Sequence, residues 1–152
     1  MRCAQVGLPM TEQVVEVEVW VRHKGATICV LRDQAGGVDA LEEWLEGFSD
    51  YRCDSFEDAL ELVCEWLDDA KVGKPAYFDK LHGYKKPPLF EIKLGSFRLL
   101  SHYGDRIIVV VHWDRKRAMR LRNQDLEKAH RRAKLVDSAI TNRRLKINGL
   151  KD

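Results

Sequence analysis

The chain has no long run of apolar residues. No stretch approaches the roughly 18 consecutive apolar side chains that a membrane-spanning helix needs, so the sequence predicts neither a transmembrane segment nor a membrane partner. The first nine residues lack the continuous apolar core of a secretory signal, and we therefore expect a cytoplasmic protein. Internal repeats and domain boundaries are also missing, and a chain of 152 residues is about one domain.

Cysteine is scarce, and its spacing excludes the common metal motifs. The four thiols, at Cys3, Cys29, Cys53 and Cys64, form no C-x-x-C pair, and no histidine lies at zinc-finger spacing. This pattern favours reduced, mostly buried thiols in a cytoplasm. We expect no metal ion and no cofactor.

Basic residues are scarce in the first half of the chain, and acidic residues are scarce in the second half. Residues 1–70 contain 16 acidic and 5 basic residues, whereas residues 71–152 contain 8 acidic and 21 basic residues. The overall net charge of +2 therefore hides one half at −11 and another at +13. A basic half of this density is typical of proteins that contact phosphate, although a solvated basic face explains many such halves.

The acidic half is predicted to form two strands and a helical hairpin. Val14–Val21 alternates valine with other side chains, and Ala26–Leu31 follows after a turn, which predicts a pair of strands. Apolar residues at helical spacing predict a helix over Val38–Phe48 and a second one from near Ser55, where Asp58 completes a capping box. We expect the hairpin Val38–Ala70 to pack on one face of the sheet through Leu41, Trp44, Leu45, Leu60, Val63 and Leu67.

The basic half is predicted to form a β-meander and a closing helix. Leu89–Leu94, Ser96–His102 and Ile107–Trp113 are short β-like runs separated by turn residues. The continuous apolar run Ile107–Val111 predicts a central strand that is covered on both faces. Gln124–Ile140 has the pattern of a basic amphipathic helix.

These elements together predict one α+β domain over residues 1–152. The hairpin packs on a mainly antiparallel, twisted sheet, and the basic helix follows at the C-terminal side. We expect the other face of the sheet to be concave and basic. Residues 1–13 and 141–152 are expected to be flexible ends.

Several short motifs resemble the RelE/ParE toxin superfamily, and most closely its HigB-like, phage-derived branch. In that branch a K-L-x-G turn leads into an L-[YF]-E-[IL]-[RK] strand, then a [YF]-R pair, then an apolar strand that ends in H-x-[FW] before a basic cluster. The corresponding segments here, within roughly residues 26–136, are Lys80–Gly83, Leu89–Lys93, Phe97-Arg98 and Val111–Trp113. The branch usually ends its basic cluster with Lys-Thr and a nearby proline, whereas this chain has Asp114–Met119.

The resemblance implies a RelE-like fold and the toxin of a type II toxin–antitoxin system. Such a toxin is a metal-independent endoribonuclease that cleaves mRNA, either free or on the ribosome. The implied protein partner is a cognate antitoxin of the helix-turn-helix type, and a homodimer is compatible with the sequence. We expect the antitoxin to cover the basic half with an acidic or amphipathic segment.

RNA cleavage without a metal needs a base for the 2′-hydroxyl, cations for the phosphorane charge and an acid for the leaving oxygen. We predict that Arg98 and Arg115 meet around one phosphate, supported by Lys93. His112 is the predicted general acid or base, because histidine titrates near neutrality. The side chains predicted to bind RNA are Tyr103, Trp113, Lys116, Arg117, Lys85 and Lys86.

Two non-enzymatic alternatives remain open. One is a RelE/ParE-like binding protein, either a gyrase-directed toxin or a phage accessory protein, that uses the basic sheet only for binding. The other is a basic nucleic-acid-binding module whose terminal helix contacts phosphate through Lys128, Arg131, Arg132 and Lys134. A convincing acid–base residue favours the nuclease, and His112 and Tyr103 are the candidates, although a histidine beside Trp113 is often only a packing residue.

Overall fold

A computed structural model describes residues 14–69, 71–115 and 123–149. Within these residues, seven strands form one sheet and three helices pack on it. None of these helices combines the length and apolar character needed to cross a membrane. The strands and helices in chain order are β1 (Val15–His23), β2 (Ala26–Leu31), α1 (Gly37–Glu46), α2 (Cys53–Asp68), β3 (Phe78–Lys85), β4 (Pro88–Leu94), β5 (Phe97–Gly104), β6 (Ile107–Arg115), α3 (Asn123–Thr141) and β7 (Leu145–Asn148).

The strands lie in the order β3-β4-β5-β6-β2-β1-β7. The meander β3 to β6 is antiparallel throughout, and so is the β1–β2 hairpin. Parallel pairing occurs where β2 meets β6 and where β1 meets β7. The sheet is therefore mostly antiparallel, with β6 in its centre as the apolar run predicted.

The helical hairpin α1–α2 covers one face of the sheet. Its apolar stripes pack on the inward side chains of β2, β4, β5 and β6, and this core includes all six side chains predicted for it. The predicted capping box is wrong, because α2 begins at Cys53 with Arg52 as N-cap and has no side-chain cap hydrogen bond.

Helix α3 covers the other face and closes a second core. Cys29 and Leu31 of β2 and Val109 and Val111 of β6 are buried there against α3. The prediction of a concave, basic second face is therefore wrong. A strand that is apolar on both faces needs a cover on both, and small side chains let α3 approach closely: Ala129, Ala133 and Ala139.

Two edge strands were not predicted from the sequence. Strand β3 is largely polar and exposed, so it lacks the alternating signal of a half-buried strand. Strand β7 lies inside the tail that was expected to be a flexible end. It pairs with β1 along the register Val15↔Leu145 to Glu18↔Asn148, so residues 145–148 belong to the sheet.

Candidate active site at the end of β6

A change of register directs His112 towards α3. Leu100 of β5 pairs with His112, whereas the next residue, Ser101, pairs with Val110. Val111 is therefore an extra residue in β6, and such a bulge re-aims the side chains around it. The His112 side chain is 15% exposed and faces Asp125 at the start of α3.

Two charged side chains of α3 contact the His112 ring. The Arg132 Nη1 atom lies 3.4 Å from Nδ1, and the Asp125 Oδ1 atom lies 3.5 Å from Nε2. Since a guanidinium can only donate, Nδ1 accepts and the neutral ring carries its proton on Nε2, towards the carboxylate. Burial lowers the pKa of His112, with Asp125 opposing that shift and Arg132 adding to it. The ring is thus neutral at pH 7, with its lone pair towards Arg132 and its proton towards Asp125.

Arg132 is held in place by the backbone and by a neighbouring loop. It donates to Val111 O at 2.9 Å, to Gln34 O at 3.0 Å and to Gln34 Oε1 at 3.1 Å. Arg132, Gln34, His112 and Trp113 line an open cavity of about 200 Å³. The cavity therefore combines a fixed cation and a neutral imidazole, which suits a phosphate. The Trp113 side chain packs against the core beneath the hairpin, on the other face of the sheet from His112.

A histidine and two carboxylates lie close together at this end of β6. One ligand atom each from His112, Asp114 and Asp125 lies within 4.8 Å of the others. A bound divalent cation would need a lone pair from the histidine. The Arg132 contact at Nδ1 instead leaves the proton on Nε2, which faces Asp125. A metal ion at this place would have to displace that proton or the Arg132 contact.

Lys93 and Arg98 are already paired with carboxylates. The Arg98 Nε atom lies 3.7 Å from Glu91 Oε2. The Lys93 Nζ atom lies 3.3 Å from Asp79 Oδ2 and 3.9 Å from Glu91 Oε1. Both cations are thus partly neutralised within the sheet, which weakens their attraction for an incoming phosphate.

Arg115 faces the opposite side of the sheet from Arg98. The register pairs Phe97 with Arg115 and Arg98 with Asp114, and successive residues of a strand point to opposite faces. Phe97 belongs to the core beneath the hairpin, where the Arg115 guanidinium lies 4.6 Å from the Phe48 ring. The prediction that Arg98 and Arg115 meet around one phosphate is therefore wrong.

The predicted RNA-binding residues are scattered. Tyr103 packs among the aromatic rings beneath the hairpin, so it belongs to the core and not to an open face. Trp113 lines the cavity beside His112. Lys85 and Lys86 are exposed at the β3–β4 turn, which a contact of 2.9 Å between His130 Nε2 and Pro87 O ties to α3. Lys116 and Arg117 lie outside the described residues.

Sequence reasoning missed the roles of Asp125 and Arg132. Arg132 was predicted only as a possible phosphate contact, and Asp125 was not singled out. Their spacing of seven residues on α3 places both on the face that meets β6, since residues two turns apart share a helix face. That spacing was the available signal.

No protein-family model matches the chain, and searches of curated proteins and of solved structures return no match either. The resemblance to the HigB-like branch therefore stays a prediction.

Proposed function

We propose that the chain is the toxin of a type II toxin–antitoxin pair and cleaves mRNA at the His112 cavity. The observation that carries this proposal is the neutral His112 ring, which lines one cavity with Arg132 at the end of β6. The order of strand, helical hairpin, meander and basic helix is compatible with the RelE-like arrangement that the motifs imply.

The geometry supports a route for the proton. A phosphate in the cavity competes for the Arg132 guanidinium, which frees the Nδ1 lone pair of His112. Nδ1 then takes the proton of the 2′-hydroxyl as the 2′-oxygen attacks phosphorus. The bond from phosphorus to the 5′-oxygen breaks, and that oxygen receives the proton back from the ring. Asp125 stabilises the imidazolium in between, as a carboxylate behind a catalytic histidine does.

The first prediction concerns His112. We expect His112→Ala to lower RNA cleavage by about 100-fold or more and to leave RNA affinity nearly unchanged, because only proton transfer is lost. Growth arrest and primer-extension mapping of mRNA ends after induction measure the effect. His82→Ala, at an exposed position of β3, is the matched control and retains activity. Full toxicity of the His112→Ala protein removes this ring from the mechanism.

A non-enzymatic binding protein is the second candidate, and one observation favours it. Lys93, Arg98 and Arg115 each have a carboxylate within ion-pair distance. Among the described residues, by contrast, none of the exposed cations Lys128, Arg131 and Lys134 on α3 takes part in an ion pair. This arrangement suits backbone phosphate contacts without chemistry, and it predicts steeply salt-dependent binding that leaves RNA intact.

A further inference from the structure

The acidic hairpin contains a cavity of about 250 Å³ on the face of the sheet that α1 and α2 cover. Its apolar walls include Trp20 of β1, Tyr51 of the α1–α2 loop and Phe56 of α2. These three side chains pack against the core beneath the hairpin, whereas His112 contacts α3 on the opposite face. The cavity is therefore separate from the candidate active site.

Three carboxylates line this cavity, and the structure pairs none of them with a cation among the described residues. They belong to Glu42 of α1 and to Glu57 and Glu61 of α2. Glu42 accepts a hydrogen bond of 3.0 Å from the Trp20 indole nitrogen, which fixes one carboxylate against an aromatic wall. Arg22 also lines the cavity, but no carboxylate of the cavity lies within ion-pair distance of it.

The pKa of the Tyr51 phenol depends on the charges around the same cavity. Burial, which is the largest cause, acts together with the Cys53 thiol and the carboxylates of Glu42 and Glu46 to raise its pKa to about 12. The contribution of Glu42 and Glu46 to this shift shows that carboxylates act on the cavity, and their negative charge favours a cation.

We propose that this cavity binds an arginine side chain presented by a partner protein. A guanidinium is flat and weakly hydrated, so it stacks on aromatic rings while it donates to carboxylates in a two-pronged geometry. Trp20 and Phe56 provide the rings, and Glu57 and Glu61 provide acceptors at the rim. A phosphate or an acidic peptide has the wrong charge for this site. The proposal is independent of RNA cleavage, because the two cavities lie on opposite faces.

The test uses the full chain and two short peptides. The first is acetyl-Gly-Arg-Gly-amide, and the second contains citrulline, which has nearly the same shape as arginine but no charge. The readout is the indole N–H resonance of Trp20 in nitrogen–proton NMR spectra, assigned with a Trp20→Phe variant. We expect saturable shifts of this resonance with the arginine peptide and no saturable shift with the citrulline peptide.

Substitutions around the cavity test which charged side chains contribute to arginine binding. Glu57→Gln and Glu61→Gln should each weaken arginine binding by roughly two- to fivefold, the range for one exposed charge pair. Arg22→Gln should strengthen binding, because a like charge is removed. Asp58→Asn makes the same charge change as Glu57→Gln, but on an exposed residue outside the cavity, and should leave binding unchanged. Intact spectra of each variant show that the fold is retained.

Three outcomes would overturn the proposal. Equal binding of both peptides would show that charge is irrelevant, and an unmoved Trp20 resonance would show that arginine does not enter. A Trp20 resonance that shifts with protein concentration alone, together with a larger mass by ultracentrifugation, would identify a second copy of this chain as the occupant.

Discussion

At the scale of the residue, His112 and His102 make the stability of the fold depend on pH near neutrality. Burial lowers the pKa of both rings, and a carboxylate opposes the shift in each case, Asp125 for His112 and Asp137 for His102. The unfolded chain therefore binds protons on these rings at a higher pH than the folded chain does. Stability from these groups is fully present above the ordinary histidine pKa of about 6.5 and is lost as the pH falls below it.

The second prediction follows from the direction of these two pKa shifts. We expect the free energy of unfolding to fall between pH 7 and pH 5, with each ring contributing at most about 1.4 kcal/mol per pH unit. Urea denaturation at several pH values measures the slope. His102→Gln should flatten it, whereas the exposed His82→Gln should not. Equal slopes for the wild type and the His102→Gln protein would contradict this account.

Arg132 is the residue on which the geometry of His112 depends, and it carries the third prediction. Arg132→Lys keeps the charge but cannot reach Gln34, Val111 and His112 at once, because it loses the planar fork. We expect cleavage to fall by at least about 10-fold, with a changed pH profile because the donor to Nδ1 is lost. The lost hydrogen bonds should reduce the free energy of unfolding by about 1–3 kcal/mol.

The control for Arg132 is its neighbour on the same helix. Arg131→Lys alters an exposed side chain that takes part in no ion pair among the described residues, so rate, pH profile and stability should stay near wild type. Loss of cleavage in both variants would show that several guanidinium groups of α3 are needed, and not Arg132 in particular.

At the scale of the element, the sequence predicted those strands and helices whose apolar pattern is local. Four strands (β2, β4, β5 and β6) and helix α3 were predicted from short β-like runs or helical spacing, and they lie close to the predicted bounds. Strand β7 could not be predicted in this way, because four residues carry too short a pattern and its position depends on the open edge of β1.

The candidate site was predictable only in part, for a related reason. His112 was predicted at the end of β6 from the local pattern, whereas its contacts with Asp125 and Arg132 depend on how α3 packs on the sheet. Whether Arg98 and Arg115 share a face depends on the register of β5 with β6, where a shift of one residue reverses every side chain. The local sequence does not determine the register between these two strands.

The fourth prediction concerns β7, whose pairing places Ile147 opposite Val17 and against the core that α3 closes. We expect Ile147→Ala to lower the free energy of unfolding by about 1–2 kcal/mol, because a half-buried side chain loses part of its apolar contact. The exposed neighbour Lys146→Ala should change it by less than about 0.5 kcal/mol. Thermal and urea denaturation distinguish the two. Equal stability of both variants would mean that the packing of β7 does not stabilise the fold.

At the scale of the whole molecule, charge is divided along the chain and also in space. The hairpin belongs to the acidic half, and α3 with the β3–β4 turn belongs to the basic half. The fifth prediction is that the proposed antitoxin associates with the basic half through steered encounter. The association rate should therefore fall as salt rises from low to high concentration. Stopped-flow mixing at several salt concentrations measures this rate, and a rate independent of salt would contradict the arrangement.

The sheet also separates two interiors that have no buried residue in common. One core lies beneath the hairpin and the other beneath α3, with the strands as the wall between them. The hairpin cavity and the cavity beside His112 likewise share no lining residue. The fold permits a ternary complex, in which a partner stays docked on one side while RNA is held on the other.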